Sequence, residues 1–368
     1  MGHFAFGIVS SQSAAPLELW TWGEAGSGRL GDGTVVSKSS PVQIGALTDW
    51  ASVSSNTAHS IAVKTNGTLW AWGFNNAGRV GDGTIIDKSS PVQIGALTDW
   101  FSTSSGYQHS HAIKTNGTLW AWGEASVGQL GDGTIIDKSS PVQIGALTDW
   151  ASVSSGGYHS LATKTNGTLW GWGRGNYGVL GDGTTINRSS PVQIGSLTDW
   201  FSISSGKYHS LAVKTDGTLW AWGNNSARLG DGTVISRSSP VQIGALSDWA
   251  SFSAGSSHSM ATKTDGTMWS WGSGAYGRLG LGNTTSYSSP VQVGILTNWS
   301  CVGAGNNHSS AVKTDGSLWS MGYNGQGALG DGVGTYGNNK SSPVQIGALT
   351  TWNSISVGAF HSSALKTV

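Results

Sequence analysis

A motif of the form Leu/Met-Trp-x-Trp/Met-Gly recurs seven times in 368 residues, at intervals of 49 or 50. Its first Trp falls at Trp20, Trp70, Trp120, Trp170, Trp220, Trp269 and Trp319. A fixed period of about 50 residues means one supersecondary unit copied in tandem, each copy needing neighbours to bury its apolar surface. The repeat also constrains function. Whatever occurs in all seven copies is explained first by the fold, so functional signals belong among the departures.

The second repeat serves as the type. Trp50-Ala-Ser-Val-Ser-Ser reads as a strand of small residues, A. His59-Ser-Ile-Ala-Val-Lys-Thr is a second run, B, followed by Asn66-Gly67, a pair that tolerates positive φ and signals a two-residue hairpin. Thr68-Leu-Trp-Ala-Trp-Gly73 is run C. A Gly-rich connection then reaches Pro91-Val-Gln-Ile-Gly95, run D, and Ala96-Leu-Thr-Asp leads to the next Trp at 100. No segment keeps a helical period. Runs B and C are apolar on both faces, so each sheet must be covered on both. Radial stacking of sheets does this and leaves only short edges. The expected architecture is all-β: a seven-bladed β-propeller of four-stranded antiparallel blades over residues 17–368. Residues 1–16 are read as an N-terminal arm or linker, since they lack the positive n-region of a signal peptide.

The ends carry a further expectation. The chain closes on His361-Ser-Ser-Ala-Leu-Lys-Thr367-Val368, a B run with no C after it. It opens, past the arm, on Leu17-Glu-Leu-Trp-Thr-Trp-Gly23, a C run with no B before it. Pairing the two completes one blade and removes two edges. The C–D connection is one residue short in the fifth repeat and three residues long in the seventh, around 334–339, marking it as an exposed loop tolerant of length change.

Composition narrows the partners. Charged residues are 10%, against about 25% in an average soluble protein, and 19 cations balance 19 acids. No basic stripe or tail is present, which argues against nucleic acid and anionic membranes. No run is apolar and long enough for a membrane-spanning helix. A neutral surface resists self-association weakly, which suits a component of an assembly. With Gly at 57 and Trp at 20, glycine supplies the turns and tryptophan the bulk of the core. A single cysteine, Cys301, excludes an intrachain disulfide and aligns with serines of other repeats.

The unit Gly-x-x-His-Ser-x-Ala-x-Lys-Thr-Asn/Asp-Gly-Thr-Leu-Trp-x-Trp-Gly-x-x-x-x-Gly-x-Leu-Gly-Asp-Gly, complete over residues 156–183 and one residue short over 206–232, resembles the regulator of chromosome condensation repeat. The likeness covers residues 17–368. It implies a seven-bladed propeller with a similar clasp, and its near-identical copies look like bacterial or phage members. The family's founding member is a guanine-nucleotide exchange factor that binds nucleosomes; other members resemble inhibitors or passive interaction modules. Exchange is expected to need non-repeated loops and basic tails, and every loop here is short.

Candidate chemistry is sparse. The repeated histidines His59, His109, His159, His209, His258, His308 and His361 sit one per blade, around a ring rather than about one ion, so a hydrogen bond to a neighbouring loop or backbone is expected and no metal. His111 lies two residues from His109, with no third ligand evident. The acids of Gly-Asp-Gly (Asp32, Asp82, Asp132, Asp182, Asp231, Asp331) are expected to cap tight turns, since calcium needs several carboxylates at one point. The repeated tryptophans are expected to pack the core rather than stack sugars. No catalytic constellation stands out and no cofactor is implied.

What varies lies at one end. Loops A–B and C–D share an end of the propeller, and there Phe74, Glu124, Arg174 and Tyr323 occupy one equivalent position. Tyr107, Tyr158, Lys207, Tyr208 and Phe360 lie beside the repeated histidines. Tyr177 and Tyr276 are equivalent to each other further along the C–D loop. Tyr and Arg on one face are residue types that anchor interfaces. The expected function is non-catalytic binding or assembly through this rim, with the arm as a tether. The most concrete form is a virion component (fibre, tail or head surface) contacting another structural subunit or a host surface. The alternatives are a secreted propeller that binds a glycan or inhibits an enzyme, and nucleotide exchange. The expected location is therefore the virion or the extracellular space.

Overall fold

The computed structural model describes residues 15–334 and 337–368. The expected arm therefore lies outside the described residues except for its last two positions. Seven four-stranded antiparallel sheets form the blades. Six run A–B–C–D in chain order, from Trp50–Gln93 (blade 2) through Trp299–Gln345 (blade 7). Blade 1 combines both ends of the chain: Trp352–Val357 and His361–Thr367 supply A and B, Leu17–Gly23 and Lys38–Gln43 supply C and D. The clasp holds seven consecutive register pairs, from Leu17↔Thr367 to Gly23↔His361.

Strands A line the axis. Their small residues have a specific reason: serine hydroxyls accept backbone N–H groups from the adjacent blade, as Ser104 Oγ does from Ser155 N at 2.8 Å and Ser154 Oγ from Ser205 N at 2.8 Å. Bulky side chains there would push the inner strands apart. The resulting axial channel has a cavity of about 80 Å³ lined by these serines.

The core lies between blades rather than within one. Leu69, Ala71 and Val80 of blade 2 pack with Trp100, Ala112 and Trp122 of blade 3, and each of the seven clusters is shared in the same way between neighbouring blades. The two tryptophans of the motif divide the work. The second (Trp22, Trp72, Trp122, Trp172, Trp222, Trp271) is wholly buried, and Met321 takes its place in blade 7. The first, which marks the repeat in sequence, is only half-buried. It holds a lysine: Lys64 Nζ sits 4.7 Å from the Trp70 ring and 4.9 Å from Trp50, and pairs with Asp49 at 3.2 Å. The clamp recurs at Lys114, Lys164, Lys214 and Lys263. In blade 1 Lys366 turns to Glu18 instead, at 3.0 Å. The expectation that tryptophan rows carry the packing holds for the second position; the first serves a cation–π clamp at the hairpin end.

Candidate functional site at the loop rim

The two ends of the propeller differ as the loop order requires. The B–C hairpins and D–A links share one end, joined by bonds such as Trp100 N to Gly67 O at 3.1 Å. The A–B and C–D loops share the other, joined by bonds such as Phe74 N to Ala58 O at 2.9 Å.

Beneath the rim runs a closed circuit of histidines. Each ring lies wholly inside the protein and meets a serine of the next blade: His59 Nε2 to Ser110 Oγ at 2.8 Å, His109 to Ser160 at 3.0 Å, and so around to His361 and Ser60 at 3.4 Å. In five of the seven, the serine hydroxyl donates onward to a C–D loop carbonyl, as Ser110 does to Arg79 O at 2.9 Å. That hydroxyl's one hydrogen is thereby committed, so the histidine's Nε2–H must donate. Burial pushes every one of these pKa values far below the free value, to about 3 for His159 and His308. In blades 2 and 3 the same carbonyl also accepts from the buried indole of the following blade, Trp122 Nε1 to Arg79 O at 2.8 Å and Trp172 Nε1 to Gln129 O at 3.0 Å. The repeated histidine is thus an inter-blade latch; the partner expected from the sequence is a neighbouring loop or backbone, and the structure supplies instead a strand B serine hydroxyl of the next blade. His111 hydrogen-bonds Ser155 Oγ and Leu130 O. Among the described residues no group of three or more His, Cys, Asp or Glu side chains is placed to hold a metal.

The Gly-Asp-Gly acids cap turns. Asp82 Oδ1 accepts Thr84 N at 3.1 Å, and Asp182 accepts from Arg188 at 2.8 Å. In blade 6, where Leu281 replaces Asp, Asn283 accepts Thr285 N.

The variable rim residues gather into two arcs and a smaller pair. In the first arc Tyr107 meets Tyr158 at 6.0 Å and Tyr158 stacks on Tyr208 at 6.4 Å. Lys207 Nζ lies 5.0 Å from the Tyr107 ring and 5.1 Å from Tyr208, Arg174 lies 4.9 Å from Tyr158, and Arg228 lies 5.9 Å from Tyr208. In the second arc Tyr323 meets Tyr276 at 5.2 Å and Phe360 at 6.3 Å, with Arg278 5.6 Å from Tyr276. Phe74 is covered by the Arg79 guanidinium at 4.7 Å. Glu124 accepts from Ser126 and lies near enough to Tyr158 and Arg79 to act on both electrostatically.

Placement differs among them. Tyr107 does not project outward: its hydroxyl lies beside Thr57 of blade 2 and Ser256 of blade 6, so the side chain crosses the channel mouth, and burial pushes its pKa up to about 12. Tyr177 and Tyr276 do project, 53% and 45% exposed, each held at φ 62 where non-glycine residues are rare.

Three features escape the sequence reading. Arg29, Arg79, Arg228 and Arg278 occupy one loop position, and each donates to an A–B loop carbonyl of the next blade, as Arg228 Nη1 does to Ser256 O at 3.1 Å. The signal was the recurrent Arg two residues before the Gly of Gly-Asp-Gly. An apolar pair after that motif, such as Ile85 and Ile86, is about two-thirds exposed in several blades. Leu47, Leu97, Leu147 and their equivalents form a half-exposed ring at the opposite end.

Fold and rim together define a circularly clasped seven-bladed propeller with a uniform hairpin end and a variable loop end. The RCC1-like domain matches residues 11–302 and the regulator of chromosome condensation (RCC1) repeat matches 315–365, so the chain belongs to the RCC1-like domain family. No curated protein matches it by sequence. Among solved structures it is similar to human WBSCR16, at 20% identity and TM-score 0.85, covering 95% of this chain and 99% of that one. Yeast RCC1 (Prp20) bound to Kap60 matches at 21% identity and TM-score 0.85, covering 100% of this chain and 94% of that one. Prp20p from Saccharomyces cerevisiae, described with its binding to Gsp1p and histones, matches at 21% and 0.82, covering 99% and 96%. At these identities the likeness speaks for the fold. The expected bacterial or phage character gains no support from human and yeast neighbours.

Proposed function

We propose that this protein is a non-catalytic binding module whose partner is a protein and whose contact surface is the A–B and C–D loop rim. The observation that supports the reading is the contrast between ends: repeat-invariant chemistry is consumed by latches, caps and clamps, while the variable Tyr, Arg and Lys side chains collect in two arcs at one end. The histidines and turn aspartates are engaged with backbone and neighbouring blades, and the rim arcs pair aromatics with cations rather than assembling an acid–base pair. The yeast relative's binding to Kap60, Gsp1p and histones makes protein partners the natural class to try first.

The test compares partner capture by the full chain, by rim variants such as Y177A/Y276A, and by hairpin-end variants such as L97A/L147A. Loss confined to the rim variants supports the reading; loss confined to the hairpin end overturns it. Nucleotide exchange is a second reading, favoured by similarity to yeast RCC1 along the whole chain, and labelled-GDP release from a small GTPase decides it. The virion or extracellular setting remains a proposal without support from the neighbours; absence from purified particles and from culture medium would remove it.

A further inference from the structure

We propose that the rim over blades 4 to 6 is a docking surface for an extended acidic peptide segment of a partner protein. This rests on the binding-module reading and names the chemistry of its partner.

The argument is one of charge accounting. Elsewhere most cations are matched; among the described residues the exceptions are Lys313, Lys340 and Arg79, the last lying within the field of Glu124, Asp87 and Asp137. Lysines of strand B pair with the D–A link aspartates, and the first residue of strand D pairs with the Gly-Asp-Gly acid in blades 1 to 5. At the rim, Arg29 pairs with Glu24 at 3.0 Å. Arg174, Lys207, Arg228 and Arg278 have no carboxylate within ion-pair distance among the described residues, though twelve ion pairs form in the rest of the chain. They come from three successive blades and share one end: Arg174 and Lys207 are part-exposed at the surface, while Arg228 and Arg278 are buried beneath it, donating to Ser256 O and Asn306 O. The only carboxylates in the rim loops of these blades are Asp182 and Asp231, which are committed to Arg188 and Arg237 at 2.8 Å. The unmatched acids Asp216 and Asp265 of blades 5 and 6 lie at the opposite, hairpin end, capping Thr218 and Thr267. In an otherwise neutral protein this sector is an uncompensated positive arc.

The geometry separates occupants. A sugar needs a bare aromatic face, and here Lys207 lies over Tyr107 and Tyr208 while Arg174 lies over Tyr158. A single phosphate is satisfied by one or two cations at one point, whereas the positive charge here, two part-exposed cations over two buried ones, is spread across three blades. A nucleic acid needs a broader basic field than four cations in a chain of zero net charge. An extended acidic peptide matches the linear spread, and the exposed rings of Tyr177 and Tyr276 offer apolar contact between the charges.

The experiment measures anisotropy of a fluorescein-labelled oligo-glutamate peptide with the full chain, at low and physiological salt. Saturable binding that weakens with salt is expected, with a loss of about tenfold or more in R174E/K207E. Among the described residues neither side chain carries a hydrogen bond, so this variant loses only its cation–π contacts and is checked for folding by thermal melting, with R174Q/K207Q as the charge-neutral comparison expected to weaken binding less; K340Q, outside the sector, binds as the parent does. Absence of saturable binding, equal binding by R174E/K207E, or tighter binding of a heparin fragment, single-stranded DNA or phosphatidylserine vesicles overturns the inference. If partner capture needs the rim but oligo-glutamate neither binds nor competes, this inference alone fails. If capture ignores every rim variant, the underlying binding reading fails.

Discussion

Mild acid should unfold this propeller, and the histidine latch sets both the pH and the steepness. Eight imidazoles, the seven of the circuit and His111, are buried with folded pKa values held far below 6.5 by desolvation. The unfolded chain binds protons at these sites as pH falls through about 6.5, while the folded chain does not. Their contribution is therefore fully present above pH 6.5 and is lost progressively as pH falls below it toward the much lower folded values. One pH unit below the unfolded value, each site costs about 1.4 kcal/mol, so eight together cost about 11 kcal/mol. That is comparable with the whole stability of a typical domain, about 5–15 kcal/mol. The depressed carboxylates work in another window. Burial opposes the shift, but hydrogen bonds from Lys88 and Thr84 hold Asp82 below its ordinary 3.8, so its contribution fades only in stronger acid. Denaturant titrations followed by tryptophan fluorescence at a series of pH values measure the slope. Unfolding with uptake of about eight protons and a midpoint at about pH 5 to 6 is expected. His111→Leu, which copies Leu161 of the next blade, should remove one proton from that uptake and leave the rest. Stability that is flat from pH 7 to pH 5 would refute the reasoning, because it would require the latch histidines to titrate in the folded state.

Further expectations concern packing and closure. Gly81 has φ +88, and an added Cβ would lie 2.6 Å from Trp122 Nε1, so Gly81→Ala should cost about 3 kcal/mol. Gly95, at φ +64 with open space around it, should cost only about 1 kcal/mol when replaced by Ala, and chemical denaturation of the pair separates clash from backbone strain. Removing residues 361–368 leaves the strand edges at Leu17–Gly23 and Trp352–Val357 unpaired; size-exclusion chromatography should show aggregate in place of a monomeric propeller. Lys313 lies over Trp319 at 3.9 Å beside a link that carries Asn298 where blades 2 to 6 have Asp, so Asn298→Asp should complete the clamp and raise stability by up to about 1 kcal/mol, read by thermal melting.

The amino-acid sequence by itself determined the blade count, the strand order and the clasp. These follow from a fixed period, from apolar residues on both faces of B and C, and from a chain that starts on strand C and stops on strand B. It also placed the variable side chains at one end, since loop order alone decides which loops share an end. Only the tertiary structure decided what those side chains meet. Tyr107 reads as one more rim tyrosine, yet it lies across the channel mouth because the A–B loops of all blades converge on the axis. Arg174 and Lys207 are ordinary surface cations in sequence; their lack of a carboxylate partner emerges only when three blades are set side by side. The motif's two tryptophans read alike as core residues, and only burial separates the second, wholly enclosed, from the first, which holds a lysine. The physical reason is the same in each case. A repeat specifies contacts within a blade and to its neighbour through local periodicity, whereas the character of the rim arises from residues about fifty positions apart that ring closure alone brings together.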